Sequence, residues 1–174
     1  MGDALAWYLV VQVAAIAVWP MVARALESLD DRGWGITKTA ALLGVAWLAW
    51  LVCMLLPVPF TRLTLALAVL ALGFFAWGFS ARRQGVAELL TVIRERRALV
   101  LAWEALFLGG FVLFAVLRSH APAIAFTEKP MDMAFLNGFI AAPRLPTQDT
   151  WLAGFGVPYY HFGYFVLACV AKLA

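Results

Sequence analysis

The residues whose side chains can do acid–base or metal chemistry gather in one stretch, residues 127–164. This stretch holds three of the ten Asp and Glu residues: Glu128, Asp132 and Asp149. Glu128 and Asp132 are four residues apart, so their carboxylates share one face if a helix extends back to Glu128. Asp132 then lies near the helix N-terminus, where exposed amides and the helix dipole favour a carboxylate. The spacing alone favours this structural role for Asp132 and leaves a chemical role open.

The other charged residues of the stretch each have two interpretations. Lys129 and Arg144 can bind a phosphate, because Arg offers a bidentate fork and Lys a point charge, or they can meet lipid headgroups. Glu128 is otherwise a solvated loop charge or a partner of Lys129. Asp149 is explained at least as well as the N-cap of a short helix as by a catalytic role.

The histidines do not predict a metal site. His120 and His161 lack the His-x-x-x-His spacing that indicates zinc, and Cys53 and Cys169 both lie inside apolar runs. A hard cation such as Mg²⁺ or Mn²⁺, held by carboxylates and a substrate phosphate, stays an open alternative because such ions need few protein ligands.

The composition is that of an integral membrane protein. Hydrophobic residues make up 65% of the 174 and charged residues 13%, whereas soluble domains have about 25% charged residues. A helix that crosses the bilayer needs about 20 apolar residues. Runs near this length predict four transmembrane helices, at residues 4–23, 39–56, 60–81 and 98–117. No basic run with interleaved aromatic residues indicates a nucleic-acid partner.

Residues 86–97 have the pattern of an amphipathic helix rather than a span. Apolar residues recur at i, i+3, i+4 and i+7, and glutamates fall on the opposite face. We expect this helix to lie on the membrane surface. The apolar residues are Val86, Leu89, Leu90 and Ile93, and the glutamates are Glu88 and Glu95.

The basic residues of the connectors predict the orientation. The connectors after the first and third spans carry eight Lys and Arg residues, and the other two carry four. The positive-inside rule then places the N-terminus and the 119–158 loop outside the cytoplasm.

A fifth apolar run, residues 159–174, is short for a crossing. We interpret it as the start of a fifth span, with Lys172 toward the inside, and expect further spans or another membrane subunit to complete the protein. Glu104 is the one acidic residue in the middle of a span, which makes it a functional hypothesis by default. The sequence favours a structural role for it, either protonated or paired with Gln12 or with a residue of a missing helix.

Two short helices are predicted in the 119–158 loop, both on the outer membrane surface. Pro130 suits a first helical turn, and Met131, Phe135 and Phe139 then form one apolar stripe. The second helix would begin after Asp149. The predicted fold is therefore all-α and polytopic, with a four-span region at 1–118, the loop at 119–158 and the start of a fifth span at 159–174.

The order of residues between 118 and 164 resembles a known family, the uncharacterised "YYY" family of large archaeal and bacterial membrane proteins. His161 stands where that family has its third tyrosine, although an imidazole can also donate a hydrogen bond or move a proton. The matching segments are Glu128-Lys129-Pro130-Met131-Asp132, Ala134-Phe135-Leu136-Asn137, Pro146, Asp149, Trp151, Ala153-Gly154 and Tyr159-Tyr160-His161-Phe162-Gly163.

That family in turn looks like a distant branch of the GT-C glycosyltransferases. The resemblance implies an enzyme of the prokaryotic plasma membrane that takes sugar from a polyprenyl-phosphate carrier at the extracytoplasmic face. Asp132, aided by Glu128, then matches the catalytic acidic motif. The residues expected to bind substrate are Lys129, Arg144, Asp149, Trp151, Tyr159, Tyr160 and His161.

Two other functions stay open, a non-catalytic membrane scaffold or assembly protein and a transporter subunit. A transporter favours strongly polar residues within spans, where Gln12 and Glu104 are nearly alone. The carboxylates gather instead in the loop, where a carrier's phosphate would lie. This distribution favours the glycosyltransferase.

Overall fold

The helices follow the order of the apolar segments in the sequence. The computed structural model describes residues 2–83, 86–157 and 161–174. Apart from one isolated bridge, these residues form helices, turns and irregular loops, so the chain is all-α as predicted. The helices are α1 (Gly2–Ala25), α2 (Trp34–Leu55), α3 (Arg62–Arg83), α4 (Val86–Glu95), α5 (Arg97–His120), α6 (Lys129–Ala141) and α7 (His161–Leu173).

Four of these helices, α1, α2, α3 and α5, are long and apolar enough to cross a membrane, which confirms the four predicted spans. The start of α2 was predicted five residues too late. Asp31 accounts for the difference, since its carboxylate accepts hydrogen bonds from the amides of Gly33 at 2.9 Å and Gly35 at 3.0 Å. These bonds satisfy amides that a helix start leaves unpaired, so α2 begins before the apolar run does.

Small residues hold α1, α2 and α3 together. Ala14, Ala41 and Ala46 are at most 2% exposed. Gly73 of α3 lies against α1, where a Cβ at this position would come within 3.3 Å of the Cβ of Ala17. In a bilayer, small residues let helix backbones approach closely, and this packing drives association.

α5 lies at the edge of the bundle, and Val100 is its one buried residue. It contacts α1 and α2 along a single stripe. The ring of Trp103 covers Gly35, where a Cβ would be only 2.6 Å from the indole, and the ring of Phe107 lies 5.7 Å from that of Tyr8. The rest of α5 presents apolar side chains outward.

The amphipathic helix predicted at 86–97 forms as α4, which ends at Glu95 because Arg96 turns the chain into α5. Ile93 packs beside Trp19 and Ala23 of α1. Arg96 pairs with Asp30 of the α1–α2 connector at 3.1 Å.

At the other end of α2, the amide of Phe60 donates to the carbonyl of Pro143 at 2.8 Å. Which end faces the cytoplasm stays a prediction.

α7 packs against α6, α2 and α3, and α6 joins the same core through Phe139. Phe60, Phe139 and Phe165 meet there, with the ring of Phe165 at 5.1 Å from Phe60 and 5.8 Å from Phe139. All three are at most 3% exposed. The interhelical core therefore continues through the α2–α3 turn into the loop helix α6.

The sequence predicted Lys172 toward the inside. Its ammonium lies instead at the α2–α3 turn, the end of the bundle that the predicted orientation places outside. Its ammonium donates to the carbonyls of Phe60 and Ala142, both at 2.9 Å, and lies 4.5 Å above the ring of Phe60. These contacts tie the C-terminal part of α7 (His161–Leu173) to the α2–α3 turn.

The second short helix predicted after Asp149 does not form. Asp149 does accept hydrogen bonds from the amides of Trp151 at 2.7 Å and Leu152 at 3.1 Å, as an N-cap would. However, its own amide donates to the carbonyl of Phe155 at 2.8 Å, and Gly154 has a φ of +90°. These contacts turn the chain back into an isolated bridge between Gln148 and Gly156.

Candidate functional site

Asp132 and Tyr164 form a hydrogen bond between α6 and α7. The hydroxyl of Tyr164 donates to Oδ1 of Asp132, and both side chains are partly buried. Among the described residues, Oδ2 of Asp132 accepts no hydrogen bond. Within residues 2–83, 86–157 and 161–174, the carboxylate is therefore held through Oδ1 alone.

Glu128 lies one helical turn before Asp132. It is the N-cap of α6, has α-helical φ and ψ, and its carbonyl accepts the amide of Asp132 at 2.9 Å. The helical geometry thus extends back to Glu128, which is the condition for both carboxylates to share one face. Glu128 is exposed and makes no side-chain cap bond.

Tyr164 is a site residue that the sequence analysis missed. It closes the motif stretch, but the resemblance pointed to the three residues at 159–161 instead. Its ring also packs on Phe135 of α6, with centroids 5.7 Å apart. The sequence predicts a contact between an acid and a phenol on two apolar segments only when it is already known that those segments pack together.

His161 begins α7, three residues before Tyr164, and contacts α6 at Phe139, about two helical turns after Asp132. Its ring stacks on Phe139, with centroids 6.3 Å apart and an interplanar angle of 27°. It lines a cavity of about 210 Å³ together with Trp50, Met54 and Thr147. The structure thus does not bring His161 onto the carboxylate.

Thr147 is a second residue that the sequence gave no reason to single out. It is 7% exposed, and its hydroxyl has no hydrogen-bond partner among the described residues. The loop that carries it packs on Gly138, where a Cβ would meet a methyl group of Thr150 at 3.0 Å. Unpaired buried hydroxyls are costly, so a polar group or water in the adjoining 210 Å³ cavity would stabilise it.

The other predicted binding residues are spread around this site. Lys129 and Arg144 are exposed, and Arg144 lines a separate open groove beside Pro143 and Gln148. Trp151 is 67% exposed in the loop. Asp149 is engaged in the turn described above. The predictions at Tyr159 and Tyr160 lie outside the described residues.

The described residues contain no group of three or more His, Cys, Asp or Glu side chains that could hold a metal ion. Around Asp132 the partner that the structure provides is a phenol, which donates a hydrogen bond to the carboxylate. Mg²⁺ or Mn²⁺ held by a carboxylate and a substrate phosphate stays a prediction, and we derive no step through a metal.

Glu104 forms a polar cluster within the spans. Its Oε1 accepts from the ammonium of Lys38 at 2.5 Å and the indole of Trp34 at 2.7 Å, and its Oε2 accepts from Gln12 at 2.8 Å. Gln12 also donates to the hydroxyl of Tyr8 at 2.8 Å. The predicted pairing with Gln12 is confirmed, and Lys38 and Trp34 are additional partners. The cluster joins α5 to α1 and α2.

Comparison with known proteins gives one family. A family model described as uncharacterized membrane protein, DUF2298, matches residues 44–174, which include α6, α7 and the loop between them. No curated protein and no solved structure matches the chain.

Proposed function

The chain belongs to the DUF2298 family of uncharacterised membrane proteins, and we propose that it is a GT-C-like glycosyltransferase or the N-terminal part of one. Its donor would be a sugar linked to polyprenyl phosphate, used at the extracytoplasmic face. The observation that carries this proposal is the Asp132 carboxylate, which Tyr164 orients through Oδ1 and whose Oδ2 accepts no hydrogen bond from the part of the chain that the structure describes.

In the proposed reaction, an acceptor hydroxyl attacks the anomeric carbon of the sugar. The new bond joins the acceptor oxygen to that carbon, and the bond from the carbon to the phosphate oxygen breaks. The phosphate leaves with the bonding electron pair, and Oδ2 of Asp132 takes the hydroxyl proton. The phenol of Tyr164 supports this role because its hydrogen bond to Oδ1 orients the carboxylate.

The test is the substitution Asp132→Asn in the full chain, reconstituted in liposomes with a polyprenyl-phosphate sugar. General-base catalysis contributes about 10² to 10⁴ in rate, so we expect a loss in that range with unchanged folding. Glu27→Gln is the control, since Glu27 is an exposed carboxylate of the α1–α2 connector and lies outside the candidate site. Transfer by Asp132→Asn within about threefold of the unmodified chain would reject Asp132 as the base, and Glu128→Gln would be tested next.

A second candidate function, a non-catalytic membrane scaffold, is favoured by the same hydrogen bond. Asp132 and Tyr164 join two helices, and a carboxylate can be retained for that contact alone. Under this alternative, neither the unmodified chain nor any variant shows transfer activity, whereas the glycosyltransferase requires transfer by the unmodified chain. A lower melting temperature of Asp132→Asn fits both functions, because both keep the hydrogen bond to Tyr164. The two functions therefore separate in the same set of proteins.

A further inference from the structure

A wide apolar groove lies between α1 and α5, at the end of the bundle where α5 enters the loop. Its volume is about 770 Å³, within the range of about 300–1,000 Å³ that is typical of small-molecule sites. Its walls are almost entirely apolar, with one charged group at the rim. The residues on which the argument depends are Trp7, Leu106, Gly110, Phe111, Phe114 and Arg118.

The groove exists because α1 and α5 meet through few large side chains. The rings of Phe107 and Phe111 each lie 5.7 Å from that of Tyr8 and form the closed side. Gly110 leaves the neighbouring space empty, since a Cβ there would meet no atom within 4 Å. A ligand in this space would cover apolar surface on both helices.

Arg118 supplies the charge at the rim. Its Nη1 donates to the carbonyls of Ala121 at 2.6 Å and Ala123 at 3.5 Å, which fixes the guanidinium at the end of α5. Among the described residues, Nε and Nη2 have no acceptor. Those two N–H groups are the fork that binds a phosphate in bidentate geometry.

We propose that this groove binds an anionic phospholipid, with an acyl chain along α5 and the phosphate on Arg118. The distance along α5 from Leu106 to Arg118 is about 18 Å, and half of a bilayer core is about 15 Å, so the groove fits a chain that ends within one leaflet. A long isoprenoid chain would exceed it. The proposal is independent of the glycosyltransferase, because no residue of the groove belongs to α6 or α7.

The test measures lipid retained by the purified full chain, using native mass spectrometry with phosphatidylglycerol and with phosphatidylcholine. We expect the unmodified chain to retain phosphatidylglycerol preferentially. Gly110→Leu fills the groove and should weaken this retention about tenfold or more, as expected when an acyl chain loses its apolar contacts. Gly109→Leu is the matched control, because a Cβ at Gly109 also meets no atom within 4 Å and Gly109 does not line the groove.

Arg118→Gln tests the charge. We expect it to abolish the preference for phosphatidylglycerol, whereas Arg62→Gln, an exposed arginine at the start of α3, should leave it intact. If Gly110→Leu does not fold, Ala115→Leu replaces it, because Ala115 also lines the groove and a larger side chain there should weaken lipid retention in the same way.

Three results would overturn the proposal. Equal retention of both lipids by the unmodified chain would mean that no anionic site exists. Equal losses of lipid retention in Gly109→Leu and Gly110→Leu would mean that lipid contacts the surface of α5 in general and does not bind in the groove. Displacement of phosphatidylglycerol by a polyprenyl phosphate at lower concentration would assign the groove to the carrier instead. None of these results depends on transfer activity, so the two proposals fail separately.

Discussion

At the scale of single residues, the hydrogen bond between Asp132 and Tyr164 carries both the enzymatic and the structural interpretation. It joins residues 32 positions apart on two short helices. A structural bond contributes to stability in every state, whereas a catalytic base is needed only when substrate is bound. Stability and activity measured on the same variants therefore separate the two roles.

A double-mutant cycle on this pair gives the first prediction. Hydrogen bonds to charged groups contribute about 1.5–3 kcal/mol, so Tyr164→Phe should lower the free energy of unfolding by an amount in that range. In the Asp132→Asn background the same change should cost less, with a coupling of about 1 kcal/mol or more. Unfolding in detergent measures both values. Additive effects within about 0.5 kcal/mol would show that the two side chains do not interact in the native state.

The partners of Glu104 could be predicted only in part from the sequence. Its pairing with Gln12 follows from the fact that an acid inside a span needs a partner. Lys38 was missed because it was counted with the first connector for orientation. The Asp31 cap starts α2 at Trp34 and so places Lys38 inside the helix, where it is 8% exposed. Hydrogen bonds from a carboxylate to the amides at a helix start leave no hydropathy signal.

At the scale of elements, the Glu104 cluster attaches α5 to α1 and α2. Breaking a buried ion pair costs about 3–5 kcal/mol because one charge is left without its partner. Lys38 and Glu104 are partly exposed, so we expect the loss of stability here to be about 3 kcal/mol or less. We predict that Glu104→Gln lowers the melting temperature and that adding Lys38→Met restores much of it. Thermal unfolding in detergent checks both variants. A double variant no more stable than Glu104→Gln would contradict an ion pair as the attachment.

The contact of Lys172 with Phe60 and Ala142 gives a second prediction at this scale. Lys172→Met removes two hydrogen bonds from a charged group and leaves the carbonyl at the end of α6 without this donor. We expect faster amide hydrogen exchange in α6 and α7, with α1 unchanged. Lys129→Met is the control, because Lys129 is exposed at the start of the same helix. Equal exchange in the two variants would show that Lys172 does not hold α6 in place.

At the scale of the whole molecule, the features that can be predicted from the sequence are those that the bilayer requires, namely the long apolar helices. A span must satisfy every backbone hydrogen bond within itself, so α1, α2, α3 and α5 follow from apolar length alone. The packing of α6 and α7 on the α2–α3 turn could not be predicted in this way. It depends on Phe60, Phe139 and Phe165, which are far apart in the chain and carry no shared local pattern.

The orientation can be tested with single cysteines. Ser28→Cys lies in the α1–α2 connector and Gln148→Cys in the loop after α6, and both positions are exposed. The native Cys53 and Cys169 are buried. From the positive-inside rule we expect an impermeant thiol reagent to label position 148 in intact cells and position 28 only after lysis. The reverse pattern would invert the topology.

The position of Lys172 also bears on how the protein is made. The two carbonyls that receive its ammonium belong to residues 112 and 30 positions earlier in the chain. A partly buried ammonium without acceptors is unfavourable, so the packed position of α7 depends on the α2–α3 turn and the end of α6 being in place. We therefore expect α7 to reach its final position after those segments, in the order in which the chain is synthesised.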